Sequence, residues 1–256
     1  MPDAAANDAL GVLDRMTSIL EAFDQYDMGL GISELALRAG LPKSTVSRLV
    51  ATLVRQRYLE RDGKRIHLGL RLFELGQLAE QPRELRAAAL PVMADLRNTT
   101  GENVHLAIRD RREMVCIAVM RGRSAAPPTV RIGGRLPIHA TALGKAVLAH
   151  SSPSDVDEVI SSGLEAWTSQ TISDPVVLRR QLDDIRRGGL AAEAGEFTAG
   201  LSCAAGAVFA PSGGLVGAIS VSGCADGVDA DRFAPAIRAA ALALTRRLGQ
   251  GRPGAD

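Results

Sequence analysis

Apolar side chains at Val46, Leu49, Val50, Leu53 and Val54 follow the i, i+3, i+4, i+7, i+8 spacing of a helix with one buried face. The next stretch cannot continue that helix. From Tyr58 to Leu68 the chain alternates on both sides of Asp62-Gly63, a strong short-range signal for a two-stranded hairpin. Upstream, Leu10, Leu13, Met16, Leu20 and Phe23 form a first helical stripe, punctuated by Gly29 and Gly31. Ser33 is placed to cap a second short helix with Leu35, Ala36 and Ala39 inward. Gly40-Leu41-Pro42 then breaks the chain, and proline suits the first turn of the third helix. Three small helices and a hairpin over one shared core are the expected result.

The face of the third helix opposite its apolar stripe carries Lys43, Ser44, Ser47, Arg48 and Ala51, with no acid before Glu60. Short hydroxyls and long cations on an exposed helix suit phosphate oxygens and base edges in a major groove. The helix N-terminus adds partial positive charge. Alone, that face reads first as solvated surface. The hairpin changes the balance, because its tip carries Arg61, Lys64 and Arg65. Three helices followed by a basic hairpin make a winged helix-turn-helix, with the third helix in the major groove and the wing along phosphates or in the minor groove.

Whole-chain charge hides this surface. Thirty basic and twenty-nine acidic residues leave a net of +1, which at face value argues against a nucleic-acid binder. The charges are segregated, however. Residues 1–39 hold two basic and seven acidic side chains, and residues 40–68 hold seven basic and two acidic. A short basic block is enough for a local positive patch. Aromatic residues are only 3%, which disfavours a base-stacking platform for single strands. Three cysteines, Cys116, Cys203 and Cys224, exclude a disulfide framework and a four-thiolate zinc site. With no apolar run of ~18 residues and no signal-peptide pattern at the N-terminus, a cytoplasmic location without membrane contact is expected.

Leu70, Leu72, Phe73, Leu75 and Leu78 continue helically to Glu80, where Pro82 is expected to end the run. An apolar helix between domains suits a dimer contact. From Arg83 a helix to Thr100 precedes expected strands at Val104–Ile108, Met114–Met120 and Thr129–Ile132. Helices are expected near Thr141–Ala149, Asp155–Ser161, Val176–Arg187 and Asp231–Leu248, with strands near Ser202–Phe209 and Val216–Ser222. Strands mixed with flanking helices, without a βαβ repeat, imply an α+β sensor-like domain. The expected organisation is a DNA-binding domain over residues 1–69, a linker helix over 70–82, an effector-binding domain over 83–248 and a disordered tail over 249–256.

Catalytic signatures fail in this second domain. His139 to Ala146 is short of a phosphate loop, since His139 occupies the first glycine position and Ala146 follows Lys145 where Ser or Thr is required. Ser220 and Ser222 sit outside any G-x-S-x-G elbow. Cys203 has no histidine near it in sequence, and metal ligands at productive spacing are missing. The same residues fit a binding pocket better. Ser220 and Ser222 are two apart on a strand and point to one face, with Cys203 on another strand as a small wall. Thr141 is a candidate helix cap whose following backbone N–H groups suit a carboxylate. Glu193 and Glu196 can accept from a ligand hydroxyl, although Glu196 is the more expected to be solvated.

The stretch Ile32–Gly76, and LPKSTVSRLVATL (Leu41–Leu53) within it, resembles the DNA-binding domain of the IclR family of bacterial transcriptional regulators. The resemblance implies that Lys43, Ser44, Thr45, Ser47 and Arg48 face DNA, although the Thr45 hydroxyl can equally bond its own helix. RLPIHATALGKAVLA (Arg135–Ala149), GLSCAAGAVF (Gly200–Phe209) and LVGAISVSG (Leu215–Gly223) are similar to the signature stretches of that family's effector-binding domain, which has a GAF-like fold. The resemblance implies a pocket for a small oxo acid lined by Ala142, Leu143, Glu193, Cys203, Ser220 and Ser222. Leu143 is bulkier than the usual small residue, and Glu193 replaces a shorter Asp, so the shape of the pocket and the identity of its ligand stay open. The family's linker helix also joins domains and helps pair subunits.

These observations converge on a non-enzymatic transcription regulator without a cofactor. Its expected partners are double-stranded pseudo-palindromic operator DNA, a small organic acid or aromatic catabolite, and a second copy of itself, with dimer and dimer of dimers both open. Effector binding is expected to shift the two DNA-binding domains through the linker helix, provided the ligand prefers one arrangement. The alternatives are a small-acid enzyme using Cys203 and an architectural DNA binder without a ligand.

Overall fold

Val46, Val50 and Leu53 of the apolar stripe are fully buried on one side of a helix whose other side is exposed. Each such side chain contributes about 1.5–3 kcal/mol through burial. The computed structural model describes residues 11–24, 27–123, 130–224 and 229–250. The chain divides into two compact units, 1–80 and 81–256.

The first unit contains α1 (Val12–Glu21), α2 (Ile32–Arg38), α3 (Lys43–Arg55), β1 (Leu59–Asp62), β2 (Arg65–Leu68) and α4 (Leu70–Gly76). Ile19, Leu30, Leu35, Leu41, Leu59 and Ile66 complete the core around α3. Leu10 of the first stripe lies outside the described residues. Two local expectations are corrected. Ser33 does not cap α2, because Gly31 already occupies the extended N-cap position and the helix begins at Ile32. The hairpin loop is Gly63-Lys64, since Asp62 pairs with Arg65, and Gly63 takes the positive φ of 54° that the turn demands. Leu30 and Ile66 exchange backbone hydrogen bonds of 2.9 and 2.8 Å, tying the hairpin to the segment before α2. Gly29 is required there: its φ is +86°, and a Cβ would lie 2.4 Å from the His67 ring.

The expected single linker helix is two elements. After α4 ends at Gly76, α5 (Glu80–Thr100) begins, with Pro82 in its first turn instead of past its end. Proline is tolerated there because first-turn N–H groups have no intrahelical partner.

The second unit is built on β3 (Asn103–Asp110), β4 (Glu113–Met120), β5 (Arg135–Pro137), β6 (Ala191–Ala194), β7 (Leu201–Phe209) and β8 (Leu215–Cys224). They form one antiparallel sheet in the order β5-β4-β3-β8-β7-β6. The strand expected at Thr129–Ile132 is not formed by Val130–Ile132, and Thr129 lies outside the described residues. The edge strand is Arg135–Pro137, three residues further on. Strand β6 was hidden by its small residues, which lack the β-branched signature. On one face, α5 and α9 (Ala230–Gln250) pack over Val104, Leu106, Ile219 and Val221. On the other, α6 (Ala142–Leu148), α7 (Pro153–Ser161) and α8 (Pro175–Gly188) cover Ala107, Met114, Cys203, Ala205 and Ala218. This is an α+β sandwich of helices about a sheet. Helix α9 runs to Gln250, past the expected start of a disordered tail at Gly249; residues 251–256 lie outside the described residues.

Candidate functional sites

Amphipathic α3 turns Lys43, Ser44, Ser47, Arg48 and Ala51 outward, while Thr45 is half-buried. Among the described residues Lys43, Arg48, Arg61 and Lys64 form no salt bridge, so their charges face outward uncompensated. Two acids of the segment before α3 are engaged elsewhere: Arg38 binds Asp27 and Glu34 at 2.7 Å each. The Asp24 backbone N–H and the Arg38 guanidinium hold the Asp27 carboxyl below its ordinary range. Glu60 turns to the Leu70 backbone N–H at 3.2 Å. Arg65 differs from its neighbours on the hairpin. Its Nη1 donates to the Gly29 carbonyl at 2.8 Å, so part of its hydrogen-bonding capacity anchors the wing.

Strand register assembles the second site. Glu193 on β6 lies opposite Cys203 on β7, Cys203 opposite Ser222 on β8, and Ser222 opposite Asn103 on β3. One step along, Ala191, Ala205, Ser220 and His105 form a second row. Directly opposed residues share a face, and this is the face beneath α6. Ala142 and Leu143 are buried in the first turn of α6, within the same cluster as Cys203 and Ala205. Glu193, Cys203, Ser220 and Ser222 are all buried. Two open clefts, about 280 and 360 Å³, lie elsewhere in this unit; neither is lined by these six residues. Glu193, Cys203, Ser220 and Ser222 sit instead on one buried sheet face whose side chains are mostly small.

Thr141 caps α6 as expected, accepting from the Gly144 N–H at 3.2 Å and donating to the Pro137 carbonyl at 2.9 Å. Gly144 is fixed by close approach, since a Cβ there would sit 2.0 Å from the Ile138 carbonyl oxygen. The expectation that Glu196 is solvated is corrected: it is 5% exposed and ion-paired with Lys145, which is 0% exposed. Lys145 was missed as a functional residue because its sequence context pointed only to a failed phosphate loop. The Glu196 backbone N–H donates to Glu193 Oε2 at 2.9 Å, and its carbonyl accepts from Thr171 at 2.6 Å. Thus one buried ion pair ties α6, which carries Ala142 and Leu143, to the turn that positions Glu193. Burial pushes the Lys145 ammonium below its ordinary pKa against the opposing pull of Glu196. Burial likewise pushes the Glu193 carboxyl up, opposed by the Glu196 N–H and the Cys203 thiol.

His105 and Asn103 also went unread in the sequence, because only the pairing of β3 with β8 brings them beside Ser220 and Ser222. His105 Nδ1 lies 3.4 Å from Ser222 Oγ, and burial lowers its pKa to about 4. It is therefore a neutral imidazole at physiological pH. Among the described residues, no cluster of three or more His, Cys, Asp or Glu can hold a metal ion, and no helix is long and apolar enough to cross a membrane.

Comparison with known proteins matches both units. The bacterial transcriptional regulator IclR C-terminal family covers residues 78–246, and the IclR helix-turn-helix domain covers residues 12–63. The HTH-type transcriptional repressor AllR of Klebsiella pneumoniae is 33% identical over 235 residues, covering 90% of this chain and 86% of that protein. AllR of Escherichia coli K12 is 31% identical over 224 residues, covering 86% and 83%. An IclR homolog from Microbacterium hydrocarbonoxydans, solved in complex with 4-hydroxybenzoate, superposes with a TM-score of 0.88 at 29% identity, covering 94% of this chain and 100% of that one. The Thermotoga maritima IclR structure gives 0.76 at 27% identity, covering 93% and 98%. With the helix-turn-helix unit and the α+β unit both matched, the chain belongs to the IclR family of transcriptional regulators, in which a DNA-binding domain is joined to an effector domain.

Proposed function

We propose that this chain is a cytoplasmic, non-enzymatic regulator that represses transcription from a pseudo-palindromic operator and releases or tightens its grip when a small organic acid binds. The DNA-binding domain spans residues 1–69, the linker 70–82 and the effector domain 83–248. In this reading α3 enters the major groove with Lys43, Ser44, Thr45, Ser47 and Arg48, while Arg61, Lys64 and Arg65 follow the phosphates. Repression is supported by the name of the AllR relatives. The effector is an aliphatic oxo acid or a hydroxylated aromatic acid held between α6 and the sheet by Ala142, Leu143, Glu193, Cys203, Ser220 and Ser222. The observation that carries this reading is the enclosed face on which the strand register gathers hydroxyl, thiol and carboxyl groups. The 4-hydroxybenzoate complex of the Microbacterium neighbour supports the ligand class. Subunits pair as a homodimer, a role suited to the exposed apolar residues Leu70, Phe73, Leu75 and Leu78.

A thermal-shift screen of short oxo acids and hydroxybenzoates on the full-length chain tests the effector reading. A saturable rise in melting temperature, lost in Ser220→Ala, is expected. A panel with no shift overturns it. Turnover of any acid that binds, abolished by Cys203→Ser, would move the chain to the enzyme class.

A further inference from the structure

We infer that His105 is a ligand-contacting residue of the effector site, its Nε2 hydrogen-bonding an oxygen of the bound acid. The inference rests on the effector reading above and adds a residue and a polarity to that site. His105 lies on β3 directly across from Ser220, one register step from Ser222, and therefore on the face beneath α6. It is 1% exposed. Its Nδ1 faces the Ser222 hydroxyl at 3.4 Å. Its Nε2 is buried and has no hydrogen-bond partner among the described residues.

A buried imidazole nitrogen without a partner is destabilising, and native interiors rarely leave such a group without a use. Its neighbours define the use. Lys145, the only buried cation of this unit among the described residues, is engaged by Glu196. A carboxylate entering the face must therefore be held by neutral donors. A neutral imidazole has one donor and one acceptor nitrogen. With the Ser222 hydroxyl donating to Nδ1, Nε2 carries the proton and points a donor at the ligand. His105 then selects a carboxylate or carbonyl oxygen at this end of the site, while Glu193, at the far end of the Cys203–Ser222 row, is left to the remainder of the molecule.

Two substitutions separate the ring nitrogens. His105→Asn keeps a polar atom near Nδ1 and removes Nε2, whereas His105→Gln reaches the Nε2 position with its amide. Calorimetric titration of the full-length chain with pyruvate and 4-hydroxybenzoate as probes is the test, with Ser220→Ala as the site control. A loss of about ten- to a hundredfold in affinity for His105→Asn, with His105→Gln within about threefold of wild type, is expected. In the wild-type chain the 15N resonance of His105 Nε2 is expected to move on ligand saturation, which keeps the test decisive if His105→Asn fails to fold. If Ser220→Ala weakens the probe but His105→Asn and the Nε2 resonance are indifferent, this inference fails and the effector site stands. If a probe binds and Ser220→Ala is also indifferent, or if neither these probes nor any acid of the thermal-shift panel binds, the effector-site reading falls and takes the inference with it.

Discussion

Replacing Glu196 by Gln should unfold the effector domain at a much lower temperature, because it strands Lys145. The ammonium has no surface exposure, and its ion-pair partner is the Glu196 carboxylate. Removing one member of a buried pair costs about 3–5 kcal/mol. The worst case has a natural ceiling, since Lys145 can shed its proton instead of remaining charged. Neutralising an ordinary lysine at neutral pH costs on the order of 5 kcal/mol. Burial already lowers the Lys145 pKa, so proton loss is the cheaper escape once Glu196 is gone. For a unit of this size each kcal/mol shifts the melting temperature by about 2–4 °C, so a drop of roughly 6–20 °C is expected. Scanning calorimetry of the full-length chain reads it directly. The pH dependence supplies a signature. With the folded-state pKa of Lys145 depressed, the unfolded chain binds the extra proton, and the variant gains stability as pH rises from neutral toward 10.5. The double variant Lys145→Met, Glu196→Leu should recover most of the loss, since a well-packed apolar pair is often no less stable than a buried ion pair. A Glu196→Gln chain melting within about 2 °C of wild type, without the alkaline gain, would refute the reasoning.

Other consequences follow from single residues. His105, with a folded-state pKa of about 4 against 6.5 unfolded, imposes no proton-linked cost above pH 6.5, and the fold loses stability as pH falls from 6.5 toward 4 because the unfolded chain takes up the proton first. At pH 5 the loss is about 2 kcal/mol, and thermal melts of His105→Gln should lack this acid-side slope. Lys64→Ala should lower the slope of log affinity for DNA against log salt by about one phosphate contact without changing sequence preference, as measured by anisotropy at several salt concentrations. Phe73→Glu, placing a charge in the exposed apolar run of α4, should shift the assembly toward monomer in analytical ultracentrifugation; an unchanged sedimentation coefficient counts against that face as the dimer contact.

Much of the first unit could be read from sequence because its signals are local. The stripe of α3 and the alternation of the hairpin are periodicities within a dozen residues, and the packing followed them. Errors arose where one residue type serves two positions. Pro82 can follow a helix or open one, and Asp62-Gly63 mimics a turn whose loop is Gly63-Lys64. In the second unit Ser220, Ser222 and Cys203 stood out through spacing on recognisable strands. His105, Lys145 and the burial of Glu196 did not, because each depends on contacts between segments far apart in the chain. His105 meets Ser222 across 117 positions and Lys145 meets Glu196 across 51. Strand β6, four residues of Ala and Glu, carries no propensity of its own and exists by pairing with β7.

Binding of a duplex selected from a random pool by the full-length chain, measured by fluorescence anisotropy with and without a saturating acid found in the thermal screen, tests the central claim most directly. The selected duplex should contain two inverted half-sites about one helical turn apart, or a multiple of that. The acid should change its affinity by at least about fivefold, the lower end of ordinary coupling between sites. Equal affinity with and without bound acid would contradict the account.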